Sequence, residues 1–146
     1  MKLNTEKMIA EKSDGIGWIT FNNPARRNAM SLEMWEGIDV ILEDFEKDES
    51  VHVVVMKGAG GKAFVSGADI SEFKEKRNNA EAAAYYASVS EGARARLAHL
   101  AKPLIAMIDG FCLGGGLAVA LAADMRFASE QSQFGVPAAR LGIAYG

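Results

Sequence analysis

Two short runs of alternating apolar and polar residues open the chain, at 5–12 and 16–21, with Asp14-Gly15 between them. That pair tolerates positive φ, so the pattern predicts a β-hairpin. Asn22, Asn23 and Pro24 break it, and Ser31 is placed to cap a helix whose apolar residues Trp35, Ile38, Leu42 and Phe45 recur at helical spacing to about Lys47. Residues 51–56 are almost wholly apolar and β-branched, the composition of a strand buried on both faces. A glycine-rich loop over 57–62, an extended piece at 63–66 and a polar stretch follow. An alanine-rich segment from about 80 to 100 predicts a long helix, which Lys102-Pro103 ends because the residue before proline is pushed out of the helical region. Residues 104–108 read as a second buried strand, 117–123 as a helix of small residues and 124–128 as a third strand. The order hairpin, helix, strand, helix, strand, helix, strand predicts an α/β fold with its chemistry on loops at strand ends. No internal repeat or linker divides residues 1–146, so one domain is expected.

Composition narrows the classes. With 49% hydrophobic and 24% charged residues in 146, the chain has the make-up of a globular domain that buries roughly two thirds of its unfolded surface. Nineteen acidic against sixteen basic side chains leave a formal charge of −3, and no basic run is long enough to follow a nucleic-acid backbone. One cysteine, Cys112, and two histidines, His52 and His99, offer neither an internal disulfide nor a metal site. The polar start lacks a signal core, and the most apolar stretch, 111–123, is shorter than the ~20 residues of a membrane span. A cytoplasmic protein, without nucleic-acid or membrane partners, is expected.

Two loops carry the candidate chemistry: Gly67-Ala68-Asp69-Ile70 and Gly114-Gly115-Gly116. Each follows an extended segment, and glycine removes side chains that would keep a ligand from the backbone N–H groups. Taken singly, either loop could equally serve a tight turn or close helix packing. A phosphate loop fails, because Gly61-Lys62 is followed by Ala63 and the earlier glycine position holds Met56; the dinucleotide fingerprint fails on the spacing of glycines 110, 114, 115 and 116. What remains is a site whose electrophilic power comes from the main chain, with Gly115 near a helix N-terminus that favours negative charge. A thioester oxygen becoming an enolate would suit it.

The stretches AFVSGADISEF at 63–73, KPLIAMIDGFCLGGGLAVALAADMRFAS at 102–129 and QFGVPAARLG at 133–142, with NNPARRNAM at 22–30, resemble the enoyl-CoA hydratase/isomerase (crotonase) superfamily. The resemblance implies a crotonase-like spiral of repeated ββα units, usually built into trimers or pairs of trimers. It also implies an acyl-CoA substrate, with coenzyme A as part of the substrate and no prosthetic group. Carried over by position, Ala68 and Gly115 would donate the two N–H bonds of an oxyanion hole. Asp69, Ile70 and Ser71 would line the thioester and pantetheine, and Arg26, Arg27 and Ala29 would lie near the nucleotide end. A solvated loop is the alternative for the two arginines.

The sequence departs from that pattern at two glutamate positions, which here are Ala118 and Ala138. Hydration needs one group to take a proton from water and another to deliver one to carbon, and alanine does neither. Ordinary hydratase activity is therefore not expected, the reaction type stays between lyase and isomerase, and a catalytically silent acyl-CoA binder is the alternative. Arg140 could hold a substrate carboxylate or form a structural ion pair. Asp69 should cap the turn after it, Asp109 and Asp124 should satisfy loop N–H groups, His99 should close its helix, and Glu72 should face water. The chain also stops at Gly146, short of the helices that complete the family's acyl pocket and trimer contacts, so an incomplete spiral core with exposed apolar surface is expected.

Overall fold

Asp14 and Gly15 both take positive φ, 54° and 82°, and the turn they make lays β1 (Met8–Ser13) antiparallel to β2 (Ile16–Phe21). The computed structural model describes residues 1–142 and 144. Ser31 caps α1 (Leu32–Lys47), its Oγ accepting from the Met34 N–H at 3.3 Å. Leu32, Met34, Trp35, Ile38, Ile41, Leu42 and Phe45 are buried along this helix, and each such side chain contributes roughly 1.5–3 kcal/mol through burial. At its far end the Lys102 ammonium donates to the Phe45 and Asp48 carbonyls, where the helix dipole favours a cation.

From there the chain repeats one path. In the first unit β3 (Val53–Gly58) and β4 (Ala63–Val65) lead through a 3₁₀ turn at Ile70–Glu72 and the short α2 (Phe73–Lys76) into α3 (Ala80–Ala98). In the second, β5 (Leu104–Ile108) and β6 (Phe111–Leu113) lead to α4 (Gly115–Leu121). In the third, β7 (Met125–Ala128) and β8 (Gln133–Gly135) lead to a 3₁₀ turn at Pro137–Leu141. The first strand of each unit extends a five-stranded sheet ordered β1-β2-β3-β5-β7, parallel from β2 onward. The second strand joins a separate parallel sheet ordered β4-β6-β8. Repeated ββα units of this kind are the spiral that the resemblance implied.

Several local expectations are corrected. The opening strand begins at Met8 rather than residue 5, α3 ends at Ala98, and α4 starts at Gly115 and ends at Leu121 instead of covering 117–123. The earlier start matters, because it puts Gly115 inside the first turn of the helix. Strands β6 and β8 were not read from the sequence at all. β5 alternates buried and open positions instead of being buried on both faces, and β7, the edge strand, is exposed throughout. Met125, Phe127, Phe134, Val136 and Leu141 are all at least half exposed, so the third unit presents an apolar surface.

Candidate active site

The first loop is held by residues far from it in sequence. The Met30 N–H donates to the Gly67 carbonyl at 2.7 Å, and the Asp69 N–H donates to the Met30 carbonyl at 2.8 Å. The Ala68 N–H lies opposite the Gly67 carbonyl in the same trans peptide, so the Met30 bond to that carbonyl turns the Ala68 N–H away from residue 30. Asn28, fully buried with φ of 58°, steadies the loop that does this. Its amide donates to the Ala59 and Ala63 carbonyls and its Oδ1 accepts from the Asn23 N–H, with all three bonds near 2.9 Å. Asp69 is buried too, and its Oδ1 accepts from both the N–H and the hydroxyl of Ser71. It caps the 3₁₀ turn, as expected, with the Arg26 guanidinium 3.9 Å away. Gly67 sits at φ 126°, where an L side chain would be strained.

The second loop divides its three glycines between different tasks. Gly114 takes φ 54° and ψ −119°, a region closed to residues with a Cβ, and its N–H donates to the Gly135 carbonyl at 2.8 Å. At Gly116 a Cβ would lie 2.0 Å from the Val65 carbonyl oxygen, so α4 rests on β4 backbone to backbone. Gly115 meets neither constraint: a Cβ there would have nothing within 4 Å. Its N–H belongs to the first turn of α4, where intrahelical acceptors are missing. Among the described residues neither the Ala68 N–H nor the Gly115 N–H has an acceptor.

Both residues line one cavity of about 360 Å³. Ser66, Gly67, Ala68 and Ile70 form one wall, Gly114 and Gly115 the next, and Tyr86, Ser90 and Arg94 of α3 face them. Trp35, Phe73, Arg77, Pro137, Ala138, Leu141 and Ala144 complete the lining. None of these lining residues is a carboxylate. Cys112 lies fully buried behind α4, its thiol directed at the Gly116 carbonyl and its pKa pushed up to about 11 by burial, so it is no nucleophile at neutral pH.

The structure brings only some of the sequence candidates together. Ala68, Ile70, Gly115 and Ala138 border the cavity, whereas Asp69 and Ser71 support the loop from outside it. Ala118 and the exposed Arg140 are not among its lining residues. Arg26 and Arg27 are exposed and Ala29 is buried; none borders the cavity, but the Arg26 and Arg27 carbonyls accept bonds from Ser66. The Arg27 guanidinium stacks 4.9 Å from the Phe111 ring. Asp124 accepts from the Leu104 N–H at 2.7 Å, and His99 Nδ1 lies 2.8 Å from the Ala95 carbonyl, both structural as expected. Asp109 instead accepts from the side chains of Ser129 and Gln131.

Glu72 departs from expectation. It does not face water freely: its Oε1 accepts from the Leu32 N–H at 2.9 Å, at the start of α1, and burial, with Asp69 adding to it, raises its pKa. Sequence reasoning missed the α3 wall. Tyr86, Ser90 and Arg94 stand at i, i+4 and i+8, a polar stripe along one side of an alanine-rich helix, and that spacing was there to be read.

The enoyl-CoA hydratase/isomerase family profile matches residues 11–146. The chain is 38% identical over its whole length to a short-chain-enoyl-CoA hydratase of Clostridium acetobutylicum, of which it spans 54%. It is 33% identical over 140 residues to a mitochondrial 3-hydroxyisobutyryl-CoA hydrolase of Rattus norvegicus, spanning 95% of this chain and 36% of that one. A crystal structure of an enoyl-CoA hydratase/carnithine racemase from Magnetospirillum magneticum superposes with a TM-score of 0.92 at 38% identity, over 98% of this chain and 54% of that one. The chain thus spans about half the length of the hydratase relatives it matches. With the ββα spiral, both glycine loops and matches of this extent in agreement, the chain belongs to the enoyl-CoA hydratase/isomerase (crotonase) family.

Proposed function

We infer that the cavity receives the thioester of an acyl-CoA, with its carbonyl oxygen between the N–H groups of Ala68 and Gly115, which stabilise the enolate formed next to it. The observation that carries this reading is the pair of amides without acceptors on one cavity, one presented by the Met30 clasp and one by the first turn of α4. Gly115 adds to it, since neither its space nor its φ calls for glycine, while a ligand's approach does. Asp69 and Asn28 hold the first donor in place, so their effect on turnover is indirect. The reaction belongs, on this reading, to the lyase or isomerase type, which the relatives named enoyl-CoA hydratase and enoyl-CoA hydratase/isomerase support. Coenzyme A enters as part of the substrate, and assembly as trimers or pairs of trimers in the cytoplasm belongs to the same reading. No helix among the described residues is long and apolar enough to cross a membrane.

A second reading, a silent acyl-CoA binder, is favoured by one observation: Ala138 and the other described lining residues include no carboxylate to carry a proton. Two variants of the full-length protein separate the readings. Gly115→Ala adds bulk but keeps the N–H; Gly115→Pro removes the N–H at a first-turn position that tolerates proline. Loss of one oxyanion donor typically costs about 2.7–4 kcal/mol. Turnover of the proline variant should therefore fall at least a hundredfold below that of the alanine variant. Equal turnover by the two would refute the oxyanion hole, and acyl-CoA binding without turnover of any thioester would establish the binder.

A further inference from the structure

Two guanidinium groups border the cavity and form no ion pair among the described residues. Arg77 stacks on the rings of Phe73 and Tyr86, 4.5 Å from each centroid, and Arg94 lies 5.7 Å from the Trp35 ring. Among the described residues neither makes an ion pair or a hydrogen bond through its side chain. Carboxylates are within reach of the same helix: Arg96, two residues beyond Arg94 on α3, lies 3.7 Å from Asp39 and 3.2 Å from Glu46. The two cavity arginines stand apart from that network. Ring stacking occupies the faces of a guanidinium and leaves its in-plane N–H fork, the part that matches a carboxylate.

Tyr86 shares the wall. It is 2% exposed, its hydroxyl has no hydrogen-bond partner of good geometry, and burial raises its pKa, so at neutral pH it is a donor. The two charged residues among the described lining are both cationic, with Glu72 and Asp69 acting on Tyr86 from outside the lining, and an anion is the ligand group such a lining favours. Ala68 and Gly115, whose amides have no acceptor among the described residues, line the same cavity.

We propose that the acyl group taken by this site carries a carboxylate, received by Arg77 and Arg94 with the Tyr86 hydroxyl beside them. The proposal rests on the reading that the cavity binds an acyl-CoA thioester. It deepens that reading by naming the class: acyl chains ending in an acid rather than in a methyl group.

Calorimetry on the full-length protein tests it with glutaryl-CoA and pentanoyl-CoA, which match in chain length and differ in the terminal carboxylate. Glutaryl-CoA should bind at least tenfold more tightly. In an Arg77→Gln/Arg94→Gln double variant that preference should collapse to within twofold, through a larger loss of affinity for glutaryl-CoA than for pentanoyl-CoA. Equal affinities in the unaltered protein would overturn the proposal and leave acyl-CoA binding intact. An equal loss for both thioesters in the double variant, abolished by using their 3′-dephospho forms, would assign the arginines to a coenzyme phosphate and overturn it as well. Failure of both thioesters to bind would instead overturn the acyl-CoA reading beneath it. Should the double variant unfold, the wild-type preference and its reduction in Tyr86→Phe decide the matter.

Discussion

Adding a single methyl group at Gly115 and at Gly116 should produce opposite outcomes, although the two positions are neighbours in one helical turn. At Gly116 the new Cβ would stand 2.0 Å from the Val65 carbonyl oxygen and 2.7 Å from its carbon, where ordinary contact begins at 3.4 Å. Both obstacles are main-chain atoms of β4, so no side chain can swing aside, and α4 must move off the small sheet. Overpacking typically costs 1–3 kcal/mol; a clash against fixed backbone belongs at or beyond the top of that range, about 3 kcal/mol. For a chain of this size each kcal/mol shifts the melting temperature by roughly 2–4 °C, so Gly116→Ala should melt on the order of 10 °C lower. At Gly115 the methyl meets nothing within 4 Å and φ is not positive, while alanine is the better helix former by at most ~1 kcal/mol. Gly115→Ala should therefore melt within a few degrees of the unaltered protein. Its methyl would nevertheless enter the cavity, so acyl-CoA affinity should fall. Thermal unfolding followed by circular dichroism, paired with calorimetric acyl-CoA titration, measures both. A Gly116→Ala protein melting within 2 °C of the parent, or equal destabilisation by both substitutions, would refute the division of labour among these glycines.

Three other outcomes follow from the same contacts. Asp69→Ala removes the acceptor for the Ser71 N–H and hydroxyl, so chemical denaturation should show a loss of about 1 kcal/mol, with kcat falling more than KM rises because the Ala68 donor loosens. Glu72→Gln keeps an acceptor for the Leu32 N–H and removes a charge that burial disfavours. A carboxyl whose folded pKa is raised stabilises the fold below its ordinary value of 4.5 and loses that contribution as pH rises through the folded pKa. Denaturation at a series of pH values should thus show the variant gaining on the parent between pH 4 and pH 7; a constant difference would contradict the assignment. Cys112, with its thiol pushed up to about 11, should resist labelling by a disulfide reagent at pH 8 in the native protein and react once it is unfolded. Native labelling at the unfolded rate would show that the residue is not buried behind α4.

What the sequence disclosed and what it withheld divide along the range of the interactions involved. The Asp14-Gly15 turn, the Ser31 cap and the Asp69 cap depend on residues within three positions of one another, so local chemistry was enough to foresee them. Strands β6 and β8 have three residues each, too few for any periodicity to register, and they exist because β4 offers an edge for β6 and β6 one for β8. Glu72 was misplaced because its partner, the Leu32 N–H, lies forty positions earlier and meets it only after the first spiral turn has closed. The α3 wall went unnoticed for a different reason: its alanines blur the contrast between faces, though Tyr86, Ser90 and Arg94 keep the four-residue interval. The two glycine loops were found as motifs, but their distinct tasks emerge only from the neighbours of each Cα.

The position of a bound thioester oxygen tests the account most directly. A crystal structure of the full-length protein with a slowly reacting analogue such as acetoacetyl-CoA should place that oxygen roughly 2.7–3.2 Å from both the Ala68 and the Gly115 nitrogen. A thioester seated elsewhere, or either amide found donating to a protein acceptor while ligand is bound, would contradict it.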